Sequence, residues 1–90
     1  MDTLTSYYVV QLNTRTNERL GISLDVTNSI HAVEENRARR FDTLEESQTV
    51  VDSLKSVLKV TKNEDVTYQI VKEVREYIDG GVSNESTTTV

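Results

Sequence analysis

The sequence predicts an α+β domain: a single helix packed on a mostly antiparallel sheet of three to four strands, in the chain order β-β-β-α-β. Three observations predict it. Residues 19–26, RLGISLDV, alternate polar and apolar side chains with a period of two, the pattern of a strand with one buried side. Residues 44–58 place Leu44, Ser47, Val51, Leu54 and Leu58 three and four positions apart, which draws one stripe along a helix. Residues 6–12 and 66–71 are dominated by β-branched residues and tyrosine, which suit a pleated, half-buried surface.

The first strand, SYYVVQLN (6–13), carries apolar groups on both sides: Tyr8, Val10 and Leu12 on one, Tyr7 and Val9 on the other. NTRTNE (13–18) is a turn, with Asn13 and Asn17 suited to left-handed backbone angles. The second strand directs Leu20, Ile22, Leu24 and Val26 to one side, and the two strands form a hairpin. Residues 27–41 are less regular. Asn28 and Asn36 fit turns, and one irregular strand is expected to lead up to Phe41.

The helix start is better marked. Asp42 or Thr43 can cap it, and Thr43-Leu44-Glu45-Glu46 has capping-box spacing. Glu45 and Glu46 fall in the first turn and Lys55 and Lys59 near the end, as the helix dipole favours. Val50 and Val57 widen the stripe of this helix of roughly four turns, and Phe41 can staple its start. TKNED (61–65) is a loop. VTYQIVKEV (66–74) returns to strand, with alternation extending to Ile78, although Ile70, Val71, Val74, Tyr77 and Ile78 also fit helical spacing. Residues 1–79 form one domain. The tail 80–90, rich in Gly, Ser and Thr and without period, is expected to be disordered.

Composition excludes several classes. With no cysteine, disulfide frameworks, zinc ribbons and thiol chemistry are absent. Apolar runs are far shorter than the roughly 20 residues of a membrane span, and the N-terminus lacks an export signal; a cytoplasmic protein without membrane contact is expected. The net charge is −5. Residues 1–40 balance, and the whole acidic excess lies in 41–90. Such a chain gains little counterion-release affinity for phosphates, so nucleic acid is disfavoured as a partner.

Candidate sites are few. Arg37, Arg39 and Arg40 are the sole basic concentration, and guanidinium groups can grip phosphate or carboxylate. The competing and favoured reading is a solvated strand edge, paired with Glu34, Glu35 and Asp42. His31, the single histidine, has no nucleophile near it in sequence and is read as a strand residue facing solvent. One histidine and no cysteine support no metal site; no cofactor is expected. If the helix covers the face carrying Tyr8, Val10, Leu12, Leu20, Ile22, Leu24, Tyr68 and Ile70, then Tyr7, Val9 and Val71 share the uncovered face. Exposed together, they would make an interaction surface.

The succession of hairpin, Ala38-x-x-Phe41, Thr43-x-x-Glu46, amphipathic helix and Tyr68-x-Ile70-Val71 resembles small uncharacterised phage and prophage proteins of Gram-positive bacteria. Ser47 stands where that pattern has Ala. The resemblance covers roughly residues 6–74 and implies a small accessory or regulatory protein with no catalytic residues to carry over. The expected function is a non-enzymatic protein-interaction module that forms a homodimer. The alternatives are an acidic inhibitor of a host nucleic-acid-binding protein and, below it, a small nucleic-acid-binding regulator.

Overall fold

A computed structural model describes residues 2–27, 29–62, 64–78 and 82–90. The chain is α+β. Its elements are β1 (Asp2–Asn13), β2 (Arg19–Leu24), β3 (Ile30–Val33), α1 (Leu44–Thr61), β4 (Val66–Ile78) and β5 (Val82–Thr89). The strands form one sheet in the order β3-β2-β1-β4-β5, with every pairing antiparallel. The sheet therefore has five strands, against the three to four expected.

The fifth strand comes from the segment read as a disordered tail. Val82–Thr89 pairs with Val71–Ile78 along its whole length. Threonine and serine give no hydrophobic period to mark it. Threonine is nevertheless a good strand former, and β4 is long enough to offer a complete ladder. Residues 79–81, with Gly80 and Gly81 at the start of the expected tail, lie outside the described residues. The helical alternative for 70–78 is overturned: β4 spans Val66–Ile78 as a single strand.

Local chemistry explains the connections. In the β1–β2 turn, the Asn13 side chain accepts from the amides of Arg15 and Thr16, and Asn17 takes φ 61°. The helix begins at Thr43, whose hydroxyl oxygen accepts from the Glu46 amide at 3.2 Å, and ends at Lys62 in the left-handed region (φ 55°). It runs 18 residues, about five turns, one more than the sequence suggested. Its buried residues are Ser47, Val51 and Leu54. Ser47 is fully buried and returns its hydroxyl to the Leu44 carbonyl at 2.7 Å, so a small side chain lets the helix lie close to the sheet.

Residues 27–41 are not one irregular strand. β3 is four residues long, a turn of 3-10 helix follows at Glu35–Arg37, and Phe41 makes an isolated bridge to Tyr7. Pairing of β1 with β2 covers Leu12↔Arg19 to Val10↔Gly21. Beyond it the next segment enters. The Arg39 amide donates to the Ile22 carbonyl (3.0 Å), and Phe41 exchanges both backbone bonds with Tyr7 (2.7 and 2.9 Å). Ala38 packs with Tyr8, Val10 and Val71, whereas Phe41 packs with Val9, Ile22, Ile70, Val51 and Leu54. The chain thus passes from one face of the sheet to the other between β1 and β2, and α1 starts at once on the far side.

Candidate functional site

The split between β1 and β2 gives the sheet two covered faces. On the helix face, Val9, Ile22 and Ile70 meet Phe41, Val51 and Leu54, with Tyr7, Leu24, Val50 and Tyr68 at the margin. On the opposite face, residues 34–40 cross the sheet over Gly21. A Cβ placed on Gly21 would stand 2.6 Å from the Ala38 Cβ and 2.9 Å from the Glu34 carbonyl oxygen. Glycine is needed there for close approach.

The covered faces correct the expected surface. Tyr7, Val9 and Val71 do not form an exposed group. Val9 is fully buried under α1, Val71 is buried on the opposite face with Ala38, and Tyr7 is half-buried beside the helix core. The error is one of register. Val9 stands opposite Ile70, and Tyr8 opposite Val71, so the helix face takes the odd residues of β1 and the even residues of β2 and β4. Tyr8 and Val10, expected beneath the helix, belong to the other face. Val26, expected to continue the β2 stripe, lies beyond the strand and is fully exposed.

The second face carries a chain of charges across the sheet. The Arg19 guanidinium forks onto Glu35 (2.9 and 3.2 Å), and the Tyr8 hydroxyl donates to the same carboxylate at 3.1 Å. Arg40 lies over the Tyr8 ring, 4.2 Å from its centroid. It also donates to both carboxylate oxygens of buried Glu73 (3.2 and 3.1 Å) and to the Ala38 carbonyl (2.6 Å). Arg75 continues the chain, 3.6 Å from Glu73 and 2.9 Å from Glu85 on β5. The Arg19 fork holds the Glu35 carboxyl below its ordinary range, with the Tyr8 hydroxyl adding to the effect against partial burial. Burial raises the Tyr8 phenol, and its bond to the Glu35 carboxylate adds to the rise.

The three arginines singled out in the sequence have separate fates. Arg40 is committed to Glu73, a partner 33 residues away. Its near neighbours in sequence are not the ones it pairs with: Glu35 is taken by Arg19. Arg39 is exposed and lies 5.6 Å from the Phe41 ring centroid, and Arg37 is exposed at the end of the 3-10 turn. They do not converge into an anion clamp. His31 is exposed and bonds Asp25 through Nε2 at 2.8 Å. Asp25 also accepts from the Thr27 hydroxyl and the Thr27 and Ser29 amides. These bonds, the Thr27 hydroxyl first and His31 second, hold its carboxyl well below the usual range.

Among the described residues no pocket opens, and no three acidic or histidine side chains gather to hold a metal. No helix of the described residues is long and apolar enough to cross a membrane. What remains is the rim of the sheet. β5, eight residues long, forms one edge, and β3, four residues long, forms the other. The β5 edge has no apolar period in the sequence to mark it. The Ser-Thr-Thr-Thr run at 86–89 was the available signal. Fold and site define a small α+β protein whose sheet is covered on both faces at its centre, while residues 3–5 of β1 and 85–89 of β5 are exposed. Comparison with known proteins found no matching family model, no matching curated protein and no matching solved structure.

Proposed function

We propose that this chain is a non-enzymatic protein-interaction module that associates with a second copy of itself. One observation carries the reading: the chain's own segments cover both faces at the centre of the sheet, while β3 and β5 stand at its two ends. An outer strand offers a row of backbone donors and acceptors that another strand can satisfy. Such a surface works by pairing and requires no catalytic group.

The competing readings have less behind them. Nucleic-acid binding through Arg37, Arg39 and Arg40 loses its third member to Glu73. Two exposed guanidinium groups on a chain of net charge −5 supply little phosphate affinity. Inhibition of a basic host protein draws on the acidic excess of residues 41–90 alone. The phage-type resemblance rests on the sequence pattern of Ala38, Phe41, Thr43, Glu46, Tyr68, Ile70 and Val71. A cytosolic setting belongs to the same proposal and suits a chain without cysteine.

Sedimentation equilibrium of the wild-type chain at micromolar concentration tests self-association. The expected result is a reversible, concentration-dependent mass above the 10.2 kDa of one chain. A mass of one chain at every concentration overturns it.

A further inference from the structure

We infer that β5 pairs antiparallel with β5 of a second copy, centred on Thr87, joining two five-stranded sheets into one of ten. This rests on the self-association proposed above and assigns it a strand and a register.

The ladder between β4 and β5 fixes which backbone groups are free to pair. The Val90 amide donates to the Ile70 carbonyl at 2.7 Å, and the register continues through Thr89↔Val71 and Thr88↔Lys72. Opposed residues in an antiparallel pair alternate between bonded and non-bonded positions. Thr88 and Ser86 therefore turn their N–H and C=O groups inward to Lys72 and Val74. Thr89, Thr87 and Glu85 turn theirs outward, to the open edge.

This edge lacks three of the devices that keep outer strands apart. Short length, proline and unpaired lysine guard such strands in natural sheets. β5 is eight residues long and contains neither proline nor lysine. Its single charged residue is Glu85, whose carboxylate lies 2.9 Å from Arg75 on its own sheet. β3 contrasts with it, being only four residues long.

Charge selects the occupant. A chain of net charge −5 repels its copies, and on the β5 edge the one charged residue, Glu85, is already paired with Arg75. Centring the two-fold on Thr87 places Thr87 opposite Thr87 of the second copy. Glu85 then stands opposite Thr89, and Ser86 opposite Thr88. No like charges meet, Thr–Thr and Thr–Ser neighbours are favourable cross-strand pairs, and the three outward positions of each chain supply about six new backbone bonds. Centring on Glu85 would instead oppose two carboxylates.

The test combines sedimentation equilibrium with amide exchange on the full chain and two variants. Thr87→Pro removes an outward N–H that the single chain does not use, and Thr87→Lys sets two ammonium groups face to face at the two-fold. The wild type is expected to protect the Glu85, Thr87 and Thr89 amides above the dimerisation concentration and to expose them below it. Both variants are expected to weaken dimerisation by about tenfold or more, with the Ser86 and Thr88 amides still protected by β4. Should Thr87→Pro disturb the strand itself, Thr87→Lys carries the test. A dimer that persists in Thr87→Lys with freely exchanging 85, 87 and 89 amides overturns the β5 register and leaves self-association standing. A wild type that is a single chain throughout overturns both. Protection of these amides only after a foreign protein is added overturns the second copy as occupant.

Discussion

The two faces of the sheet are sealed by different means. On one, an 18-residue helix lays Val51 and Leu54 over Val9, Ile22 and Ile70, and the stabilisation is burial of apolar surface. On the other, residues 34–40 cross the strands with Ala38 as their buried apolar contact. The seal there depends on the missing side chain of Gly21 and on Arg19, Arg40 and Arg75 meeting Glu35, Glu73 and Glu85. A helix brings its own regular surface. A short irregular segment has none, so it must come very close and pair its charges.

Disrupting each seal measures the difference. Ile22→Ala, at a residue 1% exposed on the helix face, is expected to cost about 3 kcal/mol of unfolding free energy by urea titration. On the other face, Gly21→Ala forces Ala38 and the Glu34 carbonyl away and is expected to cost about 2 kcal/mol. Adding Ala38→Gly to Gly21→Ala should return part of that loss, because one of the two close contacts disappears. If Gly21→Ala is neutral, residues 34–40 do not rest on the sheet.

Smaller effects sharpen the contrast. Glu73→Gln keeps the shape of a buried side chain but leaves the Arg40 guanidinium without its counter-charge. Because Arg40 is 30% exposed, water offsets much of the loss, and about 1 kcal/mol is expected. Thr43→Ala removes the helix cap at a similar cost of about 1 kcal/mol, with no effect on the charged face. Acid gives the smallest effect. The Glu35 carboxyl is held below its ordinary range by Arg19. Its contribution is therefore complete above the carboxylate's ordinary pKa of about 4.3 and is lost as pH falls below it toward the lowered value. Glu35→Gln should flatten that part of the curve of stability against pH, and an unchanged acid limb would show that the Arg19 fork contributes nothing.

Much of the fold was legible. Leu44, Ser47, Val51, Leu54 and Leu58 marked the helix, Thr43 and Glu46 its start, Ile22 and Leu24 the buried side of β2, and 66–74 the fourth strand, with helical spacing competing over 70–78. These signals are local, a period or a cap read from neighbours in sequence. Little of the site was legible. Arg40 finds Glu73 across 33 positions and Arg19 finds Glu35 across 16; charges nearer in sequence were the obvious partners and proved not to be the chosen ones. Gly21 carried no signal at all, since its meaning lies in Ala38 crossing above it. β5 was hidden because a Ser/Thr-rich strand exposed at an edge needs no apolar alternation.

By itself the sequence determined the kind and order of the elements through β4, because backbone propensity, side-chain period and capping act within a few residues. Tertiary structure decided the rest. It set the register of β1 against β4, which moved Val9 under the helix and Tyr8 away from it. It opened the gap between β1 and β2 through which Ala38 and Phe41 reach opposite faces, and it recruited Val82–Thr89 as a fifth strand. Successive strand residues point to opposite sides, so a shift of one residue exchanges the two faces completely. That choice is made by pairing between distant segments, which no local pattern contains.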